Sequence, residues 1–372
     1  MLDQKRVIDN FIEMVKISSP SKKERKMADY LAKVLNDLGL EVSEDNAGEI
    51  QDGNCGNIIG LLKSNSKNKK TIFLSAHMDT VVPCEVINPK IENDIIKTDG
   101  TSVLGGDDKA GIVAILELLR VIKEDKLEHP NLLIVFTIAE EIGLLGANSF
   151  EIEKYNVSYG IILDCSGAPG KVIVKAPSIA QGKLQITGKA AHAGIEPQKG
   201  INALVVAAKA ISTLRLGKVD FETTANLGTI NGGEAYNIVM PELEISYEAR
   251  SQNKDKLDAL LKETFDIFTK TCKKEGASFE HSVKIVVDGF MLDENEEVVQ
   301  NIKRACKNLS LPYEQIETSG ASDANVYNFK NIPTLNLAIG MSKVHTVEEF
   351  ISIKDLTLNA KILIEFIKDY KE

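Results

Sequence analysis

The chain has 372 residues, of which 43% are hydrophobic and 26% are charged, and its formal net charge at pH 7 is −10. This length is too great for one ordinary core, so we expect two domains in a globular protein rather than a disordered chain. The acidic balance argues against nucleic acid as a partner, because phosphate binding requires clustered lysine and arginine side chains.

The N-terminal stretch MLDQKRVIDNFIEMVKI is amphipathic and lacks the apolar core of a signal peptide. No apolar run approaches membrane-spanning length, so we do not expect a membrane partner. The five cysteines are an odd number, are widely spaced and form no CxxC pair, which is typical of reduced thiols. We therefore predict a cytoplasmic protein without a thiolate metal site.

Two helices are predicted to open the chain, the second with Ser21 as its N-cap. Apolar runs at 71–76, 132–139 and 159–164 are typical of buried strands, and 110–124 has the pattern of an amphipathic helix. Strands that alternate with helices in this way predict an α/β fold with a doubly wound, mainly parallel sheet.

The pattern changes after about Ala176, where two segments alternate apolar and polar residues, as strands with one solvated face do. These segments, 183–190 and 243–251, are each associated with a long helical pattern, at 201–214 and 254–274. Two such β–α units predict a small α+β domain of ferredoxin-like type.

A buried α/β pattern returns after Asp288, so one domain interrupted by another is the simplest arrangement. We predict an α/β domain formed by 1–176 and 289–372, with an inserted α+β domain at 177–288.

Acidic side chains follow the predicted parallel strands at their carboxyl ends, where open parallel sheets bind their ligands. Together with one histidine they are His77, Asp79, Asp107, Asp108, Glu140, Glu141 and Asp164. Such a cluster of like charges would be unstable without a cation, whereas two divalent cations would balance it. Mixed histidine and carboxylate ligands suit zinc and tolerate cobalt or manganese. For each residue alone, the alternative is the solvated end of a strand.

The histidines differ in their surroundings along the chain. Asp79 stands two residues after His77, so it can accept the free ring N–H of a metal-binding imidazole. His129 and His281 lie next to strand boundaries, and we expect both to be solvated rather than to bind metal.

Eight motifs carry a family resemblance when they are taken together. They are SAHMDTV, GGDDKAG, AEEIGLLGA, LDCSG, KAAHAGIEPQKGINA, NIVMPELEISYEARS, SGASDANVYN and VHTVEEF. In this order they resemble the dinuclear zinc exopeptidases, in particular the peptidase T-like tripeptidases, which are related to zinc carboxypeptidases and amino-acid deacylases. The resemblance implies release of the N-terminal residue from tripeptides. It also implies a zinc-exopeptidase-like fold whose inserted domain serves as a lid or in dimerisation.

The resemblance assigns ligands to two metal ions, which are expected to be zinc. His77 and Asp164 match the ligands of one ion, and Glu141 and His345 match those of the other. Asp107 matches the ligand that bridges both ions, and the peptide bond after it is expected to be cis. An Asp at position 164 tends to accompany the aminopeptidase-type members, which favours action at a free N-terminus.

Glu140 matches the general base of the family. In the implied mechanism two ions lower the pKa of a bridging water and polarise the scissile carbonyl. Glu140 takes the proton and returns it to the leaving amine, with Asp79 supporting the site. The spacing alone would allow either Glu140 or Glu141 to be the base.

The inserted domain is implied to supply substrate contacts through His192, Asn237 and Arg250. His192 would donate to the substrate carbonyl, often across a dimer, and Arg250 would hold a carboxylate unless it forms a structural salt bridge. Ser322 and Asp323 either cap a helix or line the substrate pocket, and both roles can hold together. Members with this insert are commonly homodimers through it, although some are monomers.

Three alternatives remain at this point. A dinuclear zinc deacylase or desuccinylase of N-acyl amino acids would use the same ions and the same base. The glycine-rich stretch VLGGDDKAGI suggests a nucleotide-binding protein, but it lacks GK[ST] and its acids would repel phosphate. The complete set of ligands with Glu140 argues against an inactive binding or scaffold protein.

Overall fold

The computed structural model describes residues 2–67 and 69–370 and divides into two compact units. The first unit comprises the described residues of Met1–Val174, Met291–Glu317 and Ser322–Glu372, and the second comprises Lys175–Phe290 and Thr318–Ala321. The main segment of the second unit thus extends two residues beyond the predicted insert of 177–288 at each end.

The segment 318–321 differs from the predicted division, because it belongs to the second unit. The carbonyl of Thr318 accepts a hydrogen bond from the Gln252 side chain, and that of Ser319 accepts one from Arg250. These contacts join residues 66 and 69 positions apart, so no local sequence pattern could have indicated them.

Helices and strands alternate along most of the described chain. The α-helices are α1 (Gln4–Val15), α2 (Arg25–Leu38), α3 (Ala47–Gln51), α4 (Gly106–Asp125), α5 (Leu145–Ser149), α6 (Ala203–Ile211), α7 (Lys254–Glu275), α8 (Glu297–Asn308), α9 (Asp323–Phe329) and α10 (Ile353–Lys368). The strands are β1 (Glu41–Glu44), β2 (Ile58–Leu62), β3 (Thr71–His77), β4 (Lys90–Glu92), β5 (Ile95–Lys97), β6 (Asn131–Thr137), β7 (Val157–Cys165), β8 (Lys171–Ala176), β9 (Ser178–Thr187), β10 (Gly217–Lys218), β11 (Thr223–Gly232), β12 (Glu242–Ser251), β13 (Ser278–His281), β14 (Lys284–Val287), β15 (Phe290–Met291), β16 (Glu314–Glu317), β17 (Thr334–Ala338) and β18 (Phe350–Ser352).

The largest sheet among the described residues has nine strands, in the order β1-β2-β6-β3-β7-β17-β8-β15, with β16 paired to β8. Its central strands β6, β3, β7 and β17 are parallel to one another, and β2 and β8 flank them in antiparallel orientation. All seven residues of β3 are buried, as expected of a strand covered on both faces. The predicted α/β fold with a mainly parallel central sheet is confirmed.

Helix α4 positions part of the site. It contacts β3 and β7 while α1 and α10 pack against it, and its buried residues surround the helix axis. Its first turn departs from helical geometry at Asp107 and Asp108, whose connecting peptide bond is cis, as the resemblance implied. The observed helix therefore includes the predicted range 110–124 and begins earlier.

The predicted N-cap of the second helix is wrong, because α2 begins at Arg25. The Ser21 hydroxyl instead donates to the Asp79 carboxylate at 2.7 Å, and Glu24 occupies the N-cap position without a side-chain capping bond. A contact 58 positions away in the sequence thus takes the place of local capping.

The second unit contains a six-stranded antiparallel sheet in the order β10-β11-β12-β9-β13, with β14 also paired to β9. Helices α6 and α7 pack against β9 and β12. Every second residue of β12 is buried, so Leu243, Ile245 and Tyr247 join Leu184 and Phe268 in one core. The two β–α units of the predicted α+β domain are confirmed as β9–α6 and β12–α7.

All five cysteines are free and buried. Burial raises the pKa of the Cys55 and Cys165 thiols to about 12, so both remain protonated and offer no thiolate ligand. None of the described helices has the length and apolar composition needed to cross a membrane.

Candidate metal centre

The carboxyl ends of the central strands bring the candidate residues of the first unit together. His77 is the last residue of β3, Asp164 lies near the end of β7, and Glu140 and Glu141 follow β6. Asp107 lies in the first turn of α4, which contacts both β3 and β7. Because these strands are parallel neighbours, their carboxyl ends meet at the same edge of the sheet.

Two groups of side chains have the spacing of metal ligands. In the first group, His77 Nε2 lies 3.1 Å from Asp107 Oδ1 and 3.8 Å from Asp164 Oδ1. In the second group, His345 Nε2 lies 3.0 Å from Glu141 Oε2 and 3.3 Å from Asp107 Oδ2. The ligand atoms within each group lie within 4.8 Å of one another. Asp107 therefore directs one oxygen to each group.

The two groups place several carboxylates close together without enough positive charge to balance them. Burial, and then the charge of Asp107, raises the pKa of the Asp164 carboxyl well above its usual range. Burial, and then the charge of Asp164, does the same to the pKa of Glu140. Hydrogen bonds to Asp107 and Glu141 raise the pKa of His345 to about 10. The side chains thus hold protons at positions where bound cations would supply the charge.

The donor atoms fit two divalent cations. Each group offers one imidazole nitrogen and two carboxylate oxygens, a combination that suits zinc and also cobalt or manganese. The second oxygen of Glu141, Oε1, is buried and has no hydrogen-bond partner among the described residues. A buried polar atom without a partner is costly, and a bound cation would satisfy it.

Asp79 differs from its predicted contact. His77 Nδ1 lies 2.9 Å from the main-chain carbonyl of Asp79 and 3.5 Å from its carboxylate, so the closer acceptor for the ring N–H is the carbonyl. The carboxylate accepts the amide N–H groups of Glu140 (2.9 Å) and Glu141 (3.3 Å) as well as the Ser21 hydroxyl. Asp79 therefore contacts His77 through its main-chain carbonyl and the segment of Glu140 and Glu141 through its carboxylate.

Glu349 has a positioning role that the sequence did not reveal. Its buried carboxylate accepts the amide N–H groups of Gly105 (2.8 Å) and Asp107 (2.9 Å), so it fixes the turn that presents Asp107. Its nearness to His345 in VHTVEEF was the available signal, but nothing local indicates that this glutamate points inward.

Ser322 and Asp323 are both buried at the start of α9. Ser322 is the N-cap, and its hydroxyl accepts a hydrogen bond from the Asn336 side chain at 3.0 Å. Asp323 accepts one from the Thr137 hydroxyl at 2.6 Å, at the end of β6, and burial raises its pKa to about 6. The capping interpretation therefore describes Ser322, and the pocket-lining role of both residues stays a prediction.

His192, Asn237 and Arg250 all lie in the second unit. His192 is exposed, and its Nδ1 accepts the amides of Gly194 and Ile195 at 3.2 Å, which places the proton of the neutral ring on Nε2 as a donor. The carbonyl of Asn237 accepts the amide of Ala193 and holds the same turn.

The Arg250 guanidinium pairs with the Glu248 carboxylate at 2.8 Å and donates to the carbonyl of Ser319. The structural salt bridge considered from the sequence is thus present, and the Arg250 guanidinium is not wholly free for a substrate.

The expectation that His129 is solvated is wrong, because its side chain is buried with Nδ1 2.8 Å from the carbonyl of Pro130. His281 is exposed and stacks on the ring of Phe265.

Comparison with known proteins finds matches over nearly the whole chain. Residues 174–276 match a family model described as a peptidase dimerisation domain, and residues 90–197 match one described as M42 glutamyl aminopeptidase. The protein YqjE of Bacillus subtilis is 39% identical over 99% of both chains.

Two solved structures share 37% sequence identity with the chain. One is an aminopeptidase PepT from Bacillus cereus, with a TM-score of 0.92. The other is a tripeptidase from Staphylococcus aureus, with a TM-score of 0.94. In each case the match covers 99% of this chain and 98% of the other.

Proposed function

The chain belongs to the peptidase T-like M20 peptidases, enzymes that hydrolyse peptides, and we propose that its reaction is release of the N-terminal residue from tripeptides. The observation that carries the proposal is the pair of histidine–carboxylate groups that share Asp107 next to Glu140. The tripeptide preference is supported by the two relatives at 37% identity, an aminopeptidase PepT and a tripeptidase.

In this proposal His77, Asp107 and Asp164 would hold one divalent ion, and Asp107, Glu141 and His345 would hold the other. When bound, the two ions, which we propose to be zinc, would lower the pKa of a water molecule and polarise the scissile carbonyl. Glu349 keeps Asp107 in place through the amide of Asp107 itself.

Glu140 is proposed as the general base. It accepts the proton of the attacking water and passes it to the nitrogen of the leaving amine. Burial, and then the charge of Asp164, raises the pKa of its carboxyl without bound ions, and bound cations would lower it again, so that Glu140 would be present as the carboxylate that a base requires. The amide contacts of Asp79 fix the backbone from which this side chain projects.

The second unit is proposed to bind the substrate and to form a homodimer in the cytoplasm. The neutral His192 ring can donate its Nε2 proton to the oxyanion, as the sequence resemblance implies. Asn237 and Arg250 are proposed to hold the peptide, with the Arg250 side chain 31% exposed. The match of residues 174–276 to a dimerisation domain supports the homodimer.

A substrate panel tests the proposed reaction. We expect the metal-loaded protein to cleave Ala-Ala-Ala to alanine and Ala-Ala, and to be far less active on N-acetyl-Ala-Ala-Ala, because the reaction is proposed to act at a free N-terminus. Both bonds of Ala-Ala-Ala give the same products, so Leu-Gly-Phe identifies the bond that is cut: we expect free leucine and Gly-Phe, measured by mass spectrometry.

The control is the E140Q variant, which should lose turnover by orders of magnitude and keep both metal ions, since Glu140 is not a proposed ligand. Turnover of N-acetyl or N-succinyl amino acids without turnover of tripeptides would contradict the proposal and favour the deacylase alternative.

A further inference from the structure

Four consecutive backbone amides lead into and include the two glutamates of the site. The amide of Ile138 donates to the Asn57 side chain at 3.0 Å, and that of Ala139 donates to Glu24 at 3.0 Å. The amides of Glu140 and Glu141 both donate to Asp79, as described above. Side chains from three distant segments therefore hold the segment 138–141, which lies outside any helix or strand.

Ala139 is the residue of this segment that most needs support. Its φ is +50°, in the left-handed region that residues with a Cβ atom rarely adopt. It lies directly before Glu140, so its backbone conformation sets the direction from which that side chain projects. A left-handed alanine persists only where its surroundings fix it.

Glu24 is built into the fold in a way that suits this task. Its side chain is fully buried, and its Oε1 accepts the amides of both Lys22 (2.8 Å) and Ala139 (3.0 Å). Its own carbonyl accepts the amide of Ala28 in the first turn of α2. The backbone of Glu24 is thus fixed at the start of α2, and its carboxylate joins the turn at Lys22 to one amide of the site segment.

No cation contacts Glu24 among the interactions of the described residues, and its Oε2 is buried without a hydrogen-bond partner. A buried carboxylate without a cation is costly, so its retention here requires an explanation other than charge pairing. The hydrogen bond to Ala139 is the contact that supplies one.

We propose that Glu24 is a positioning residue for the general base, and that its Oε1 holds the left-handed turn at Ala139 from which Glu140 projects. This inference rests on the proposed role of Glu140. It predicts that the acceptor atom and its reach matter at position 24, whereas the negative charge does not.

Two conservative variants separate reach from charge. E24D keeps the carboxylate but withdraws it by one methylene, so the bond to Ala139 is lost, whereas E24Q keeps an acceptor oxygen at the original reach. We expect kcat on Ala-Ala-Ala to fall about 10- to 100-fold in E24D with little change in KM, and E24Q to stay within about threefold of the parent protein.

Hydrogen–deuterium exchange provides a readout that does not depend on activity. We expect faster exchange across 138–141 in E24D but not in E24Q, with unchanged exchange in β3 and β6. E117D is the matched control, because Glu117 is also fully buried but its carboxylate accepts hydrogen bonds from the Arg6 guanidinium and the Asp3 amide rather than from the segment 138–141. It should lower thermal stability without changing kcat or the exchange of 138–141.

The outcomes distinguish this inference from the proposed function. If E140Q is inactive while E24D keeps normal kcat and normal exchange at 138–141, Glu24 has no positioning role. Loss of kcat in E24Q comparable to that in E24D also overturns the inference, because an acceptor oxygen at the original reach would then not be sufficient. If E140Q retains turnover, the assignment of the base itself is wrong.

Discussion

At the scale of single residues, the site depends on how each carboxylate is divided between partners. Asp107 directs one oxygen to the histidine of each group, and Asp79 divides its carboxylate among two amides and a hydroxyl. Glu140 and Glu141 are neighbours, yet only Glu141 lies within 3.0 Å of a histidine nitrogen of the two groups. The geometry therefore distinguishes two adjacent glutamates that the spacing of the sequence left equivalent.

The sharing of Asp107 predicts different metal contents for two variants. D107N should lower the bound metal to near zero, because Asp107 belongs to both groups. H345A should retain about one ion per chain, because the group of His77 and Asp164 stays intact and the His345 side chain is 53% exposed, so its removal leaves no core cavity. Metal analysis after dialysis measures both values, with the parent protein as the reference.

Retention of two ions by H345A would show that His345 is not a ligand, and equal losses in the two variants would contradict the shared role of Asp107.

At the scale of elements, the sequence predicted the helices and strands that carry long apolar patterns. The buried strands at 71–76 and 159–164 and the helix at 110–124 were predictable because long apolar patterns have few alternatives. The convergence of Glu140, Glu141 and Asp164 followed from the parallel strands that precede them. His345 lies in a loop at φ +62°, and only the resemblance pointed to it. The start of α2 was mispredicted, because the Ser21 hydroxyl donates to the Asp79 carboxylate instead of capping the helix. Local propensity carries no information on such long-range partners.

Glu24, at the N-cap position of α2, predicts that the free energy of unfolding depends on pH. Burial, and then the charge of Asp79, raises the pKa of Glu24 from 4.5 to about 7. Between these values the carboxyl ionises only in the unfolded chain, so stability falls as the pH rises and the loss is complete above about pH 7. Each unit of pKa difference corresponds to about 1.4 kcal/mol, which makes the loss a few kcal/mol. The difference in melting temperature between E24Q and the parent protein should therefore be more favourable to E24Q at pH 8 than at pH 5.

E85Q is the control for that comparison, because Glu85 is exposed in a loop and its replacement should shift the melting temperature equally at both pH values. An E24Q difference that is the same at pH 5 and pH 8 would contradict the raised pKa of Glu24.

At the scale of the whole molecule, the chain leaves and re-enters the first unit at adjacent points. The amide of Leu292 donates to the carbonyl of Val174 at 2.8 Å, and β8 and β15 are neighbours in the large sheet. The main segment of the second unit runs from 175 to 290, whereas the change in strand pattern led us to expect an insert at 177–288. The separate segment 318–321 was not predicted, because only contacts far apart in sequence assign it to the second unit.

A fragment spanning 175–290 should fold on its own, since its core residues all come from that range. We expect a cooperative thermal transition by circular dichroism, somewhat lower than in the full chain because the contacts of 318–321 are lost. Sedimentation analysis of the fragment should also detect self-association if the proposed homodimer forms through this unit. A non-cooperative melt would contradict the independent core.

The hydrogen bond between Glu24 and Ala139 joins residues 115 positions apart, and this separation has a kinetic meaning. Transient fraying of the first turn of α2 would free the amide while β6 stays paired in the sheet, and such local openings require less free energy than global unfolding. On warming, the enzyme would then populate a compact state without turnover, in which the first turn of α2 is frayed, before it unfolds globally. The heat tolerance of turnover would be set by the N-terminal helices rather than by the strand that leads to the base.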